Sequence, residues 1–332
     1  MAAEITIVIP NWNGAAMLSR LLPALRRQTL APFRVIVVDN GSSDSSREET
    51  ERAGVECIAL SSNQGFAPAV NAGVRAAATH WVGILNNDVE LEPDYLERLL
   101  CSAESSGASF ATGRILQWSH PELLDACYDL MSRSGLAWRA GHGQPADRYL
   151  EPARIRCAPF TALAVRRELF ETVGYLDERF GSYLEDVDFG LRAAAAGAWG
   201  IYEPSAVARH EGGATLGQWS PRMVELLSRN QVLLIAKHFP EGWTSRFGVP
   251  VVVGHLLWGL LALRHGRFLA WLKGKRSALS SWGEWRRHAA ATPAAELESI
   301  LRSDELQIHR LQAAGKPDTF WSLYFRCVGR TG

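Results

Sequence analysis

The 332-residue chain is predicted to be an α/β protein: a doubly wound, mostly parallel sheet flanked by helices, followed by a helical C-terminal region. Three observations predict it. Short β-branched runs alternate with helical patterns over the first hundred residues. Polar, turn-forming clusters follow the second and fourth of those runs. The last third changes to long helical patterns rich in Trp and basic residues. The composition agrees, since 47% hydrophobic and 21% charged residues with only 15 Pro and 29 Gly exclude a disordered, collagen-like or disulfide-stapled chain.

Taken in order, Ile5–Ile9 reads as a first strand closed by Pro10, and Met17, Leu18, Leu21, Leu22 and Leu25 recur at helical spacing after it. Val35–Val38 is a second strand that stops at the turn formers Asp39-Asn40-Gly41-Ser42-Ser43-Asp44. Cys57–Leu60 is a third strand, Ala67–Ala78 a small-residue helix, and Trp81–Leu85 a fourth strand that ends in Asn86-Asn87-Asp88. Strands and helices in alternation imply parallel pairing, and the carboxyl ends of such strands are where ligands bind. Residues 114–156 lack a clear period and are expected to be irregular, shaping a substrate pocket. Thr161–Val165 reads as a strand, Leu184–Ala196 as a helix that opens with acids, and residues 222–240 as a further helix.

Domain boundaries follow from charge. Residues 1–218 carry 19 Lys/Arg against 27 Asp/Glu and residues 219–332 carry 16 against 8, so the halves stand at −8 and +8. The first half divides into a ligand-binding part (1–113) and a second part (114–218). Five cysteines are widely spaced, with no CxxC pair and no secretory leader before the first strand, so they are expected to be reduced thiols of a cytoplasmic protein.

Four places carry residues suited to chemistry. Asp39, at the end of a buried strand, can accept hydrogen bonds from a ring N–H or ribose hydroxyls, although taken alone the cluster is explained more simply as a βα turn with Asp39 as helix cap; no GxGxxG motif is present. Asp88 could ligate a hard divalent cation, or the triplet could be a turn before the helix near Pro93. In Glu185-Asp186-Val187-Asp188 the neighbouring carboxylates repel, which suits one of them to act as a base; the plainer reading pairs Asp188 with Arg192 one turn later. His210 could complete a cation site that already holds a carboxylate.

Read together, six stretches resemble the inverting family 2 glycosyltransferases of GT-A fold, in particular the rhamnosyltransferase-like branch. They are Ile7-Val8-Ile9-Pro10-Asn11-Trp12-Asn13-Gly14, Val37 to Asp44, Asn63-Gln64-Gly65-Phe66-Ala67 with Asn71-Ala72-Gly73, Leu85-Asn86-Asn87-Asp88, Val173 to Glu178, and Glu185 to Arg192. The resemblance implies that Pro10, Asn11, Asp39, Asn71 and Asn87 line a nucleotide pocket. Asp88 and His210 would hold Mn²⁺ or Mg²⁺, Asp186 would be the catalytic base, and Glu185, Trp138 and Phe160 would face the acceptor. The implied donor is a nucleoside diphosphate sugar, dTDP- or UDP-linked first, and the implied acceptor a lipid-linked or glycan hydroxyl. Two departures stand out. The metal triplet begins with Asn86 rather than a carboxylate, and Gly181 occupies a position that is usually Phe. A nucleotidyltransferase would need a basic Gly-rich phosphate loop after the first strand, which Pro10 to Gly14 does not supply. A lapsed sugar-nucleotide-binding scaffold is the other alternative.

The C-terminal third has its own signature. Val249–Leu263 is apolar except for His255 and would span about 22 Å as a helix, short of the roughly 30 Å hydrocarbon core. Residues 246–287 hold eight Lys/Arg against one acid, with Trp258, Trp271, Trp282 and Trp285. That composition predicts a helical hairpin lying in the headgroup layer of an anionic membrane, peripheral at its inner face, with Trp at the boundary. The competing reading is a packed helical appendage or a homodimer contact. No nucleic-acid-binding module is recognisable.

Overall fold

The computed structural model describes residues 4–212, 217, 219–289 and 292–329. The chain divides into two compact units, Met1–Tyr128 with Gly141–Thr215, and Asp129–Ala140 with Leu216–Gly332.

The first unit opens with β1 (Ile5–Asn11), α1 (Ala15–Arg26), β2 (Arg34–Asp39), α2 (Ser46–Arg52), β3 (Glu56–Ala59), α3 (Phe66–Ala76) and β4 (Trp81–Leu85). It continues through β5 (Val89–Leu91), α4 (Tyr95–Ser106), β6 (Phe110–Gln117) and β7 (Leu124–Ala126). The chain passes through the second unit as the hairpin β8 (Asp129–Met131) and β9 (Ala137–Arg139). It then returns with β10 (Ala153–Ile155), β11 (Ala162–Arg166), α5 (Arg167–Val173), α6 (Glu185–Ala195) and β12 (Gly200–His210).

Ten strands form one sheet in the order β10-β12-β6-β11-β4-β1-β2-β3, with β5 on β12 and β7 on β6. Pairing is parallel from β4 through β1 and β2 to β3 and antiparallel around β11, so the sheet is mixed and helix-flanked as the alternation predicts. Its centre is buried on both faces: Ile5, Ile7, Val8 and Ile9 of β1, Ile36 to Val38 of β2 and Trp81, Val82, Ile84 and Leu85 of β4 are all fully enclosed. That is why these strands read as continuous apolar runs instead of alternating ones.

Two expectations shift. β1 does not stop at Pro10 but runs on to Asn11, in register with Val38 and Asp39 of β2. Its pairing with β4 ends at Val8, so Pro10 interrupts no ladder bond on that side. Residues 114–156, expected to be irregular, contain the end of β6 and four three-residue strands. A three-residue strand is too short to show a period. β6 hides its own because it is buried on nearly every residue.

The second unit adds α7 (Pro221–His238), α8 (Trp243–Arg264), α9 (Phe268–Arg287), α10 (Ala294–Ala314) and α11 (Thr319–Val328). Ser220 caps α7 by accepting from the Met223 amide, with Pro221 at the first helical position. The β8–β9 hairpin is held here by two buried carboxylates of α10. Asp304 accepts from the Met131 amide at 3.0 Å, and Glu305 takes the Arg133 amide at 2.9 Å, the Arg133 guanidinium at 2.6 Å and the Tyr324 hydroxyl at 2.6 Å. A buried charge needs such partners.

α8 is longer than the apolar run suggested, 22 residues, and is the one helix among the described residues long and apolar enough to cross a membrane by length and composition. One side of it is committed to protein. A Cβ on Gly254 would meet Ser134 and Leu136, and one on Gly259 would meet the Trp271 ring. Of the four Trp residues expected at a membrane boundary, three are half-buried and one, Trp285, is buried. Trp258 donates to Ser228 at 2.9 Å, and Trp271 lies against Gly259.

Candidate active site

The carboxyl edge of the parallel strands gathers the polar clusters of the first unit. At the β1–β2 end, Asn11 closes β1 and Asp39 closes β2, paired in register. The two following loops are stitched together: the Asn13 amide donates to Ser42 at 2.9 Å, the Gly14 amide to Ser46 at 3.1 Å, the Ala15 amide to Asp44 at 3.0 Å, and the Ser43 amide to the Asn13 side chain at 2.8 Å. The Asn87 side-chain amide donates to Asn11 Oδ1 at 2.8 Å, and both are buried. Gly14 is required beneath them, because a Cβ there would stand 2.2 Å from the Asn87 amide nitrogen and 2.4 Å from the Asn11 oxygen.

Asp39 is 1% exposed. Its Oδ2 takes the Arg47 guanidinium at 2.6 Å, while its Oδ1 is buried with no hydrogen-bond partner in the protein. Buried acceptors are rarely left unpaired, so this oxygen could accept from a ligand donor. The Asn86 carbonyl oxygen is a second orphaned acceptor on the same edge.

At the other end, antiparallel pairing of β5 with the last residues of β12 sets His210 opposite Val89. This brings together residues far apart in sequence: His210 Nε2 lies 3.2 Å from Asp88 Oδ1, and His210 Nδ1 lies 2.8 Å from Asp125 Oδ2 on β7. The Glu211 amide donates to the Asp88 backbone carbonyl at 3.0 Å and fixes the turn. Burial pulls the His210 imidazole below its ordinary 6.5, but hydrogen bonds and charge attraction from Asp125 and Asp88 outweigh it and raise the group to about 9.

Among the described residues no group of three or more His, Cys, Asp or Glu side chains is arranged to hold a metal ion. Asp125 occupies the ring nitrogen opposite to the one facing Asp88, so a cation between Asp88 and Nε2 would have two protein ligands. A carboxylate oxygen and an imidazole nitrogen fit Mn²⁺ or Mg²⁺ completed by diphosphate oxygens. Asp125 would then set the imidazole tautomer from behind.

Asp186 lies in the first turn of α6, half-buried, its Oδ1 accepting from the Val187 amide at 2.8 Å. Two consecutive residues before the helix, Tyr183 and Leu184, have φ of 73° and 69°. For non-glycine residues that conformation costs about 1–3 kcal/mol each, and such strain collects at functional sites. The turn is tied back to the sheet edge in steps. Gly65, at φ +101°, abuts the Gly181 carbonyl so closely that a Cβ would come within 2.8 Å, and the Phe66 amide approaches Ser182 at 3.4 Å. Asn40, next to Asp39, holds the Asn63–Gly65 loop through bonds of 2.9–3.1 Å. Asp186 is therefore linked to Asp39 through two braced loops.

The remaining sequence-selected residues are placed as follows. Pro10 lines the end of β1. Asn71 is fully buried, with its amide bridging the Leu176 backbone (2.9 and 3.0 Å) and the Glu178 carboxylate (2.9 Å), so its hydrogen bonds go to protein. Glu185 is buried at the start of α6, and Phe160 is buried against the Phe189 ring at 5.5 Å. Trp138 lies in β9, opposite Leu130, in the second unit. Asp188 makes the ion pair with Arg192 at 2.9 Å that the plainer reading of its spacing predicts, and Arg192 also donates to the carbonyls of Val173, Gly174 and Tyr175. Sequence reasoning missed Asp125, a lone acid in a three-residue strand that no spacing singles out.

Residues 6–174 match the model of glycosyl transferase family 2. The chain belongs to that family. It is 31% identical over 222 residues to the pre-mycofactocin glycosyltransferase of Mycobacterium tuberculosis, covering 66% of this chain and 45% of that relative, so it spans less than half of the relative's length. It is 26% identical over 270 residues to the N-acetylglucosaminyl-diphospho-decaprenol L-rhamnosyltransferase of the same organism, covering 74% of this chain and 88% of the relative. Among solved structures, GalNAc-T7 with UDP, GalNAc and Mn²⁺ superposes with a TM-score of 0.61 at 14% identity, over 84% of this chain and 57% of that one. S. aureus TarS 1–349 gives 0.52 at 14% identity, over 97% and 89%. These neighbours establish the GT-A fold that the motifs imply.

Proposed function

We propose that this family 2 glycosyltransferase transfers a sugar with inversion from a nucleoside diphosphate to a hydroxyl of a lipid-linked or polysaccharide precursor of the cell envelope. The observation that carries the proposal is the Asp88–His210 contact of 3.2 Å, made by residues 122 positions apart, on the same sheet edge as the orphaned Asp39 oxygen. Asp39 and Asn11, with Pro10 and Asn87 beside them, receive the nucleoside, and Asp39 Oδ1 accepts its ring N–H or a ribose hydroxyl. A dTDP or UDP base offers such an N–H.

Asp88 and His210 would hold Mn²⁺ or Mg²⁺, which supplies neutralisation of the charge that develops on the departing diphosphate. Asp186 accepts the proton of the acceptor hydroxyl as that oxygen attacks the anomeric carbon. The new C–O bond forms opposite the breaking bond to phosphate, and the anomeric configuration inverts. Glu185 and Phe160, near the Asp186 turn, belong on our reading to the acceptor side; Asn71 braces the Leu176–Glu178 segment. The relative named as an L-rhamnosyltransferase supports rhamnose as the sugar and a polyprenyl diphosphate-linked saccharide as the acceptor, used at the cytoplasmic membrane face.

The test is a matrix of dTDP-, UDP- and GDP-sugars against soluble and polyprenyl-linked acceptors with Mn²⁺ or Mg²⁺, with the product anomer read by NMR. Transfer with inverted configuration supports the proposal. Retained configuration, or donor hydrolysis without transfer to any acceptor, refutes it.

A further inference from the structure

We infer that the α8–α9 hairpin docks flat on an anionic lipid surface through an apolar stripe that the two helices share. The inference deepens the reading of a lipid-linked acceptor, but its physical basis is separate from the sugar site. On α8, Val249, Val252, Leu256, Leu260 and Leu263 recur every three or four residues, and on α9 Leu269, Leu272 and Leu279 do the same, with Arg276 in the same row. These eight aliphatic side chains are between 49% and 79% exposed. Scattered exposed leucines mean little, but two aligned rows make a contiguous patch of the kind that marks an interaction surface.

Helix geometry puts both rows on one side. Each residue advances the azimuth by about 100°, so each row occupies an arc of roughly 80°. The helices run antiparallel, joined by residues 265–267, with His255 against Lys275 at 2.5 Å and Gly259 against Trp271. On both helices these contact residues lie roughly a quarter-turn from the stripe, in the same rotational sense. For antiparallel neighbours, that sense leaves both stripes pointing the same way.

The choice of lipid over a second copy of the chain comes from charge. Of the eight cations in residues 246–287, five are engaged by the protein. Arg246 pairs with Glu298, Lys273 with Glu225, Lys275 faces His255 and Gln231, and Arg267 and Arg286 donate to backbone carbonyls. Arg264, Arg276 and Arg287 are exposed, with no ion-pair partner among the described residues. A two-fold contact through this face would set cation against cation, whereas anionic headgroups complement it. The hairpin lies on the surface and does not cross it. The other side of α8 is packed at Phe247, Pro250, Gly254, Gly259 and Ala262, and α9 carries cations along its length.

The experiment is co-sedimentation of the full chain, without sugar nucleotide, with vesicles of phosphatidylcholine alone or mixed with phosphatidylglycerol. The wild type is expected to bind the anionic vesicles, and to bind them less as salt is raised. Leu256→Glu with Leu260→Glu, and separately Leu269→Gln on the other helix, should weaken binding, by roughly tenfold or more for the double variant. Arg264→Glu with Arg276→Glu should abolish the preference for anionic lipid. Unchanged melting temperatures and unchanged transfer to a soluble acceptor show that the variants fold. No wild-type binding, equal binding to both vesicles, or leucine variants that bind like wild type overturns the inference. So does a wild-type dimer that these variants dissociate. Because binding is read without donor, failure here leaves the sugar-transfer reading standing, and failure of transfer leaves this result standing.

Discussion

At the β1–β2 end of the sheet edge, Asn87, Asn11 and Ser42 are neutral groups bonded in a chain, and the two carboxylates are already engaged, Asp44 by the Ala15 amide and Ser46 and Asp39 by Arg47 on one oxygen. At the β5–β12 end, two carboxylates and one imidazole share charge within 3.2 Å on either side of the ring. The difference separates two tasks. A braced cradle with one open acceptor would, on our reading, read the shape and hydrogen bonds of a nucleoside. A buried cluster with excess negative charge holds a positive species: a proton in the bare protein, and on our reading a divalent cation during turnover.

The largest expected effect falls on neither end. Asp186→Asn should lower kcat by about 10²–10⁴ while leaving nucleotide affinity in place at both ends, measured by calorimetry beside turnover. Loss of nucleotide binding in that variant would move Asp186 into the cradle. Next comes Asp125→Asn, which keeps the shape behind His210 but removes its charge. Mn²⁺ affinity should fall about 10–100-fold, read by titration without donor, with nucleoside affinity in the absence of metal unchanged. An unaltered Mn²⁺ affinity would make Asp125 purely structural.

The smallest effect is on stability. The His210 pKa is raised to about 9 in the fold from an ordinary 6.5, so the proton it shares with Asp88 and Asp125 contributes stability that is full below about pH 6.5 and lost as pH rises through 9. The melting temperature of the metal-free protein should therefore fall between pH 6.5 and 9 by more than that of His210→Gln. Parallel curves would deny the shared-proton picture.

Much of the β1–β2 end was legible in the sequence, because its residues sit at strand ends: Asn11 closes β1, Asp39 closes β2, and Asn87 comes two residues after β4. A local pattern suffices where topology repeats. At the charged end local pattern gave Asp88 and His210 only as separate residues, and the family resemblance alone paired them. Their meeting depends on β12 running eleven residues to pair with β5, a long-range pairing that no local spacing encodes. Asp125 was invisible for the same reason. The strained turn at Tyr183 and Leu184 was hidden too, since neither residue type announces a left-handed backbone. In the second unit composition foretold a basic apolar hairpin but not that Trp258 would spend its N–H on Ser228 or that Trp285 would be buried.

The most direct measurement of the central claim is the affinity of the wild type and of Asp88→Asn for UDP and dTDP with and without Mn²⁺. The account predicts that Mn²⁺ tightens binding in the wild type and does nothing in the variant, whose metal-free affinity matches the wild type's. Equal wild-type affinity with and without the ion, or a metal effect that survives in Asp88→Asn, would contradict it.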